Sequence, residues 1–456
     1  MPRTIKQNGI TEGVIWKQLL LFFFPILFGT FFQQMYNTAD AIIVGNIAGK
    51  QSLAAVGGST ATIINLLVGF FVGLASGAAV IIAQQYGARE ADKISRSVHT
   101  SIALAIAGGF ALMVIGFFGG PIALKWMHTP DDIMQPATEY LQLYFLGTIP
   151  SLLYNLGSGI LRAMGDSKRP LYFLIIACFT NIVLDLVLVG GFRMGVKGAA
   201  LATVASQVVS AALTMYVLTR EGTIYQVHLS KIRMDGEMLA NIVRIGLPTG
   251  LQSVLYSVSN IVIQAGVNAF GTDVVAAWTA YSKIDSVFWM TLSSFGIAIT
   301  TFVGQNYGAA RYDRVKKGVS VCLGMAVGST LFISTVLYIW GGLVCRLFTS
   351  DPVVLQHGER ILHYLVPWYM SYVLIEILSG ALRGAGEVIP PTIICCFGVC
   401  GIRLLWMWIA VALVPQLETV MASYPITWVL SSIAFALYYY KSGWLEKRIR
   451  LHTPQA

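Results

Sequence analysis

The sequence predicts an all-α integral membrane protein with twelve transmembrane helices. Of its 456 residues, 56% are hydrophobic and only 11% are charged, whereas about a quarter of the residues in a soluble domain are charged. Apolar runs such as 102–124, 171–189 and 318–340 recur along the chain. Each run is long enough to cross a hydrocarbon core of about 30 Å as a helix. A soluble fold of this size has too little polar surface to cover so many apolar residues.

Each predicted span is supported by one apolar run. Each span also places the loops before and after it on opposite sides of the membrane. Lys and Arg alternate between sides: 22 of the 30 lie in one set of loops and termini, and 6 lie in the other set. Because positive residues concentrate on the cytoplasmic side, both termini are predicted to be cytoplasmic in the plasma or inner membrane. The net charge of +9 belongs to these loops and does not indicate nucleic-acid binding. The twelve helices are centred near Phe28, Leu67, Gly108, Tyr154, Ile182, Val208, Val258, Leu292, Ile333, Leu374, Leu405 and Ile433.

The two halves of the chain repeat each other. Residues 84–93 match residues 305–314 with five identities in ten positions. At the same offset of 221, Leu161–Asp166 match Leu382–Glu387. Two matches in the same order and at one offset indicate an internal duplication.

The duplication predicts two six-helix lobes, at residues 1–219 and 238–456, joined by a cytoplasmic linker at 220–237. Six spans are an even number, so both copies enter the membrane from the same side. Their pseudo-two-fold axis then runs along the membrane normal, as in parallel repeats of secondary transporters.

Several of these segments resemble the multidrug and toxic-compound extrusion (MATE) family, including its bacterial NorM-like members. The similar segments are Gln34–Gly45 in span 1, Gly304–Ala309 at the end of span 8, and the ends of spans 4 and 10 described above. The resemblance covers essentially the whole chain. It implies export of cationic or amphipathic small molecules in exchange for protons or sodium, by alternating access.

Polar groups of the first lobe form a candidate proton-coupling site. An ionisable side chain inside a span costs several kcal/mol unless it is paired or water-lined, and it indicates a functional site by default. Asp40 lies in span 1 and Asp185 in span 5, where Asn181 precedes it by one helical turn. Asn155 in span 4 and Thr203 in span 6 are further candidates. Two carboxyl groups that share a dry site cannot both ionise easily, so one of them can exchange a proton.

The alternative is that these polar side chains only lock helices together by hydrogen bonds. The family resemblance favours proton coupling, because one branch of the family couples protons through matching aspartates of spans 1 and 5. Span 7 of this chain contains no carboxylate, so a sodium site that needs an acid there is in doubt. Protons are therefore the expected coupling ion, with sodium as the alternative.

A second set of polar residues in the other lobe forms a candidate cation or substrate site. Its charged members also allow a structural ion pair, between Arg403 and either Glu376 or Asp285. The complete set is Glu376, Asp285, Arg403, Gln252, Tyr256 and Asn260.

The sequence contains no complete phosphate-binding loop, metal-ligand spacing or catalytic motif. We therefore expect no enzyme activity, no cofactor and no metal, with transport driven by an ion gradient. The expected partners are a small organic substrate and the lipid bilayer, without nucleic acid, and the expected assembly is a monomer. Two alternatives are a flippase for lipids or lipid-linked saccharides, which would favour a strongly basic cavity, and a membrane-embedded lipid enzyme.

Overall fold

The computed structural model describes residues 9–220, 222–349 and 351–452. Within these ranges the chain forms eighteen α-helices and no β-strand. The chain divides into two compact units. Unit 1 extends to Ser257 and includes Gly304–Arg314, and unit 2 comprises Val258–Val303 and the chain from Val315 onward.

The helices of the first half begin with a single turn and continue with long apolar segments. They are α1 (Gly9–Glu12), α2 (Ile15–Ile43), α3 (Lys50–Gly57), α4 (Ser59–Gly87), α5 (Ala91–Trp126), α6 (Asp131–Leu146), α7 (Thr148–Ala163), α8 (Lys168–Asp185) and α9 (Gly195–Thr219). π-helical turns follow α2 at Val44–Ala48 and α8 at Leu186–Gly191, and a 3₁₀ turn lies at Leu229–Lys231.

The second half has the same kind of helices. They are α10 (Gly236–Asn268), α11 (Thr272–Gly308), α12 (Tyr312–Cys345), α13 (Pro352–Leu365), α14 (Tyr369–Gly384), α15 (Ile389–Ile393), α16 (Ile402–Leu413), α17 (Leu417–Lys441) and α18 (Trp444–His452). A 3₁₀ turn at Val366–Trp368 joins α13 to α14, and a π-helical segment at Ile394–Gly401 joins α15 to α16.

Ten helical segments in the described ranges are long and apolar enough to span a membrane. The two remaining predicted spans coincide with α6–α7, which are separated at Gly147, and with α10. Both are helical: α6 and α7 have 16 residues each, and α10 has 33 residues. Every predicted centre lies in a helix, and the prediction of an all-α integral membrane protein is confirmed.

The compact units do not coincide with the predicted lobes. The beginning of α10, up to Ser257, and the end of α11, from Gly304, both belong to unit 1. These segments contribute to the packing of the first unit although the duplication assigns them to the second copy. The lobe boundaries at 219 and 238 therefore stay a prediction about the repeat.

The two copies of the repeated motif touch each other within unit 1. A Cβ atom on Gly87 would overlap the backbone carbonyl of Gln305, and one on Gly308 would overlap the carbonyl of Gln84. Both the two glycines and the two glutamines are related by the offset of 221 found in the sequence. Contacts of this reciprocal kind are what a local two-fold axis produces. The duplicated segments thus pack against each other at the ends of α4 and α11.

Helices α4 and α10 also cross at glycines. A Cβ atom on Gly77 would overlap the backbone of Gly246, and one on Gly246 would overlap the backbone of Leu74. Small residues let two membrane helices approach until their backbones touch, which is a main source of attraction between helices in lipid. This crossing therefore needs glycine on both helices.

Replacing Gly77 by leucine is expected to destabilise unit 1 by about 1–3 kcal/mol, because the side chain has no room between the two backbones. Thermal unfolding of the purified protein in detergent measures the effect. Gly324→Leu is the matched control, since nothing lies within 4 Å of a Cβ atom at that position. Equal melting temperatures for the two variants would show that the crossing is loosely packed.

Residues 226–235 follow α9, and we call them the strap. The strap bonds to the first turns of α5. Arg96 forms ion pairs with Asp235 at 2.9 Å and with Glu237 at 2.8 Å. The backbone N–H of His228 donates to Nε2 of His99 at 3.0 Å, and Nδ1 of His99 lies 2.7 Å from the carbonyl of Ser95. His99 thus bonds to the strap through Nε2 and lies against its own helix through Nδ1.

The Arg96 guanidinium that bonds to the Asp235 carboxylate holds the pKa of Asp235 below its usual value. A carboxyl group with a lowered pKa stabilises the fold above its unfolded pKa, near 4, and loses this effect as the pH falls through the lowered value. We expect Asp235→Asn to speed amide hydrogen exchange in the strap several-fold, equally at pH 5 and pH 8. Exposed Asp132 supplies the control, Asp132→Asn. If Asp235→Asn speeded amide exchange at pH 8 but not at pH 5, Asp235 would not be the ionised partner of Arg96 at pH 5.

Candidate functional site

Two aspartates from different helices meet inside unit 1. Asp40 lies near the end of α2 and Asp185 is the last residue of α8, and these two helices pack against each other. Asp40 is 7% exposed and Asp185 is fully buried. Their carboxyl groups lie side by side, close enough for one to hydrogen-bond to the other. Apart from Asp40, no described group of unit 1 hydrogen-bonds to either oxygen of Asp185.

Both aspartates adjoin a π-helical turn. The turn at Val44–Ala48 begins four residues after Asp40, and the turn at Leu186–Gly191 begins directly after Asp185. Single π turns inside α-helices are rare and frequently occur at functional sites, because they re-aim side chains and free backbone groups. The sequence analysis did not predict these turns.

Two tyrosines lie near the aspartates, a third tyrosine and a glutamine adjoin them, and the sequence analysis assigned none of the four to this site. Tyr36 lies one turn before Asp40 on α2, within electrostatic range of it. Tyr140 on α6 lies within range of both aspartates, and Tyr144, one turn further, lies beside Gln207 of α9. Phenol and amide groups can donate to a carboxylate or accept from a carboxylic acid. The cluster can therefore accommodate the pair in both protonation states.

The remaining predicted members of the first site are placed differently from one another. Asn181 is fully buried, and both its amide atoms lack a protein partner within unit 1. Thr203 is buried beside the hydroxyl group of Tyr36. Asn155 instead donates to the carbonyl of Ser151 in its own helix at 2.8 Å. Its part in the site stays a prediction that no contact to either aspartate supports.

Asp285 of α11 is held quite differently in unit 2. The Tyr369 hydroxyl donates to its Oδ1 at 2.5 Å, and the Trp289 indole N–H donates to its Oδ2 at 2.6 Å. The Tyr281 hydroxyl lies 3.4 Å from that of Tyr369. Each carboxylate oxygen thus has its own donor, so Asp285 is positioned as a fixed hydrogen-bond acceptor.

The donors to Asp285 belong to an aromatic cluster. The rings of Phe288 and Tyr369 stack with centroids 4.1 Å apart and planes 9° apart. Trp428, which is 1% exposed, contacts Trp289 and Tyr369 at centroid distances of 6.1 and 6.3 Å. Aromatic pairs at such distances add stability beyond the area they bury. The cluster therefore fixes the orientation of both donors.

Arg403 does not form the ion pair that the sequence analysis allowed. Arg403, Glu376 and Asp285 are all among the described residues, and Arg403 pairs with neither carboxylate. Its guanidinium carbon instead lies 4.4 Å from the ring centroid of Tyr424, and it donates to Thr427 at 3.4 Å. A cation over a desolvated aromatic ring is stabilised by about 2 kcal/mol. Tyr424 takes this role because Asp285 is already satisfied by its own donors.

The other members of the predicted second site do not all belong to the same unit. The carboxyl group of Glu376 lies beside Gly296 of α11, about three helical turns along that helix from Asp285. Gln252 and Tyr256 belong to unit 1, and Asn260 is exposed on unit 2. A role for these residues in binding a cation or substrate stays a prediction. No group of three His, Cys, Asp or Glu side chains in the described ranges is arranged to hold a metal ion.

An all-helical membrane protein with duplicated halves and titratable acids inside its spans has the architecture of a secondary transporter. The family model described as MatE matches residues 25–187 and again residues 248–409. The chain therefore belongs to the MatE family, and the resemblance to multidrug and toxic-compound extrusion transporters is confirmed. Because one model matches twice, the internal repeat is confirmed as well.

Similar proteins cover nearly the whole chain. "Probable multidrug resistance protein YoeA" of Bacillus subtilis is 28% identical over 446 residues, covering 95% of each chain. "Probable multidrug resistance protein YpnP" of the same organism is 29% identical over 450 residues, covering 98% of this chain and all of its own. A MOP superfamily transporter from Pyrococcus furiosus has the same fold, with a TM-score of 0.88, 24% identity and 97% coverage of both chains.

Proposed function

We propose that this protein exports cationic or amphipathic small molecules by alternating access, in exchange for protons carried by Asp40 and Asp185. The single observation that supports this most strongly is the buried carboxyl pair of unit 1, in which Asp185 has no hydrogen-bond partner other than Asp40 among the described groups of that unit. A buried carboxylate without a donor is costly, and it becomes stable when it binds a proton.

The pair can store one proton between two oxygens. When one carboxyl group is protonated, its O–H donates to the other carboxylate, and the pair carries a single negative charge. When that proton leaves, two negative charges face each other in a site screened from water, and they repel. Helices α2 and α8 carry one charge each, so repulsion acts directly on the contact between these helices. Proton binding and release thus favour different arrangements of unit 1.

We infer the direction of transport and the class of substrate from the similar proteins. YoeA and YpnP are named as multidrug resistance proteins, which favours export of small organic molecules over lipid flipping. The Arg403 side chain supports this choice, because its charge is covered by the Tyr424 ring and is not presented to an anionic headgroup. We also propose that both termini are cytoplasmic and that the protein functions as a monomer.

Transport of a fluorescent organic cation into inverted membrane vesicles tests the proposal. Proton and sodium gradients are imposed separately, so that each ion is tested as the only driving force. A proton gradient supplies about 1.4 kcal/mol per pH unit for each proton exchanged. We expect accumulation with the proton gradient alone and none with the sodium gradient alone.

The opposite pattern, accumulation with sodium alone, would overturn the proton assignment while leaving export intact. Absence of accumulation with either gradient, for a panel of lipophilic cations, would overturn the substrate class. Asp132→Asn is the control for the variants described below, because Asp132 is an exposed carboxylate at the start of α6.

A further inference from the structure

A cavity of about 390 Å³ lies between the first turns of α5 and the strap. This volume is within the range of small-molecule binding sites, about 300–1,000 Å³. Three basic side chains line it: Arg96 from α5, and Lys231 and Arg233 from the strap. The hydroxyl groups of Ser95 and Ser230 line the same cavity. These donors suit an anion with several oxygen atoms.

Two of the three basic side chains in the cavity have no ion-pair partner. Arg96 is paired with both Asp235 and Glu237. Lys231 and Arg233 are exposed and form no ion pair with any described residue. Asp92 is the other carboxylate in the lining. Lys231 and Arg233 are therefore the cations that can bind an anion from outside the protein.

The cavity lies at the level of the membrane surface. Helix α5 has 36 residues and is therefore about 54 Å long, which exceeds the hydrocarbon core of about 30 Å. The polar first turns of α5, from Asp92 to Thr100, therefore extend into the headgroup region. The strap beside them exposes two apolar side chains, Leu229 at 70% and Met234 at 45%. Alternation of exposed apolar and basic residues is typical of segments that lie in a membrane interface.

We propose that this cavity binds the phosphate headgroup of an anionic phospholipid. Lys231 and Arg233 hold the phosphate, the serine hydroxyls donate to its remaining oxygens, and Leu229 and Met234 contact the acyl chains. The segment that connects the two copies of the repeat is thereby attached to the bilayer surface. This inference does not depend on the coupling ion or on the transported substrate.

Native mass spectrometry of the full-length protein with added phosphatidylglycerol measures the lipid affinity. The attraction of one Lys or Arg to an anionic headgroup is about 1 kcal/mol, so loss of both cations should weaken binding about thirtyfold. The test variant is Lys231→Gln with Arg233→Gln. The matched control is Lys168→Gln with Lys317→Gln, which removes two exposed cations from the beginnings of α8 and α12. Equal affinities of test and control variants would overturn the site.

Removal of the Asp92 carboxylate should strengthen lipid binding, whereas removal of the cations should weaken it. Asp92→Asn deletes the carboxylate of the lining that is not paired with Arg96, so we expect phosphatidylglycerol binding to tighten by up to about fivefold. A merely structural role of Asp92 would leave the affinity unchanged or lower it. Weaker binding in Asp92→Asn would contradict the proposal.

Competition with inorganic phosphate distinguishes the lipid from a free anion. If the headgroup is held together with its acyl chains, millimolar inorganic phosphate should leave phosphatidylglycerol bound, and phosphatidylcholine should bind more weakly. Displacement by inorganic phosphate at equal concentration would identify a free-anion site and overturn the assignment to lipid. The melting temperatures of all variants without lipid are compared, so that a folding defect is recognised.

Discussion

Asp185→Asn is expected to abolish proton-driven accumulation of substrate while the protein still folds and inserts. With a gradient of about 2 pH units, one proton supplies about 2.7 kcal/mol, which corresponds to about hundredfold accumulation. An asparagine cannot release a proton, so the accumulation ratio should fall about hundredfold, to near unity. Accumulation of a fluorescent cation in inverted vesicles measures this. Asp40→Asn should behave in the same way, because the two carboxyl groups act as one proton-binding pair.

The asparagine variants should remain folded. A loss of accumulation can then be attributed to the loss of proton coupling and not to unfolding. An amide at position 185 can donate to Asp40, so the substitution replaces a hydrogen bond that the protonated pair already makes. Asp132→Asn should retain wild-type accumulation. Wild-type accumulation by Asp185→Asn would remove this residue from the coupling mechanism, and full activity of Asp40→Asn would remove the pair as a whole.

Asp285→Leu is expected to destabilise unit 2 strongly. The substitution leaves the Tyr369 hydroxyl and the Trp289 indole N–H without their acceptor. Each buried donor that loses its partner costs about 1–3 kcal/mol, so the total loss is about 2–6 kcal/mol. Thermal unfolding in detergent, followed by tryptophan fluorescence, measures the change. Asp273→Leu, at the exposed beginning of α11, provides the control.

Comparison of two substitutions, Tyr369→Phe and Asp285→Leu, tests the prediction about Asp285 more closely. Tyr369→Phe removes one donor but keeps the stacked ring against Phe288, so it should cost only about 1 kcal/mol. Asp285→Leu should then cost more than Tyr369→Phe. If Asp285→Leu were as stable as wild type, Asp285 would not be the fixed acceptor of the aromatic cluster, and a titratable role for it would return.

The membrane fold was predictable because lipid imposes simple constraints on a sequence. Long apolar runs identify spans, and the alternation of Lys and Arg between loops fixes their number. The spans at α6–α7 and α10 are not among the ten long apolar segments. They were still recognised because a missed helix would have broken the alternation of Lys and Arg between loops. The duplication at an offset of 221 predicted a symmetry that the Gly87 and Gly308 contacts display.

The first candidate site was only partly predictable. Asp40 and Asp185 stand out because a carboxylate in an apolar run is costly wherever it lies. A tyrosine gives no such signal, since its ring is equally common facing lipid, so Tyr36 and Tyr140 were missed. Their positions depend on how each helix is rotated about its axis, which the π-helical turns change. No local sequence pattern predicted those turns.

The error about Arg403 has a different cause. Opposite charges in neighbouring spans suggested an ion pair, but that argument considered only formal charges. Asp285 receives two short hydrogen bonds from neutral donors, and Tyr424 offers its ring face to the guanidinium. Both partners were neutral aromatic residues, and their approach depends on tertiary packing that periodicity does not reveal.

Infrared difference spectroscopy of the protonated carboxyl stretch, recorded as substrate is added at neutral pH, tests the central claim most directly. We predict that substrate binding removes a protonated-carboxyl band in the wild type and in Asp285→Asn, and that the change is absent in Asp185→Asn. A band change that persists in Asp185→Asn but disappears in Asp285→Asn would place the exchanged proton in unit 2 and contradict the account.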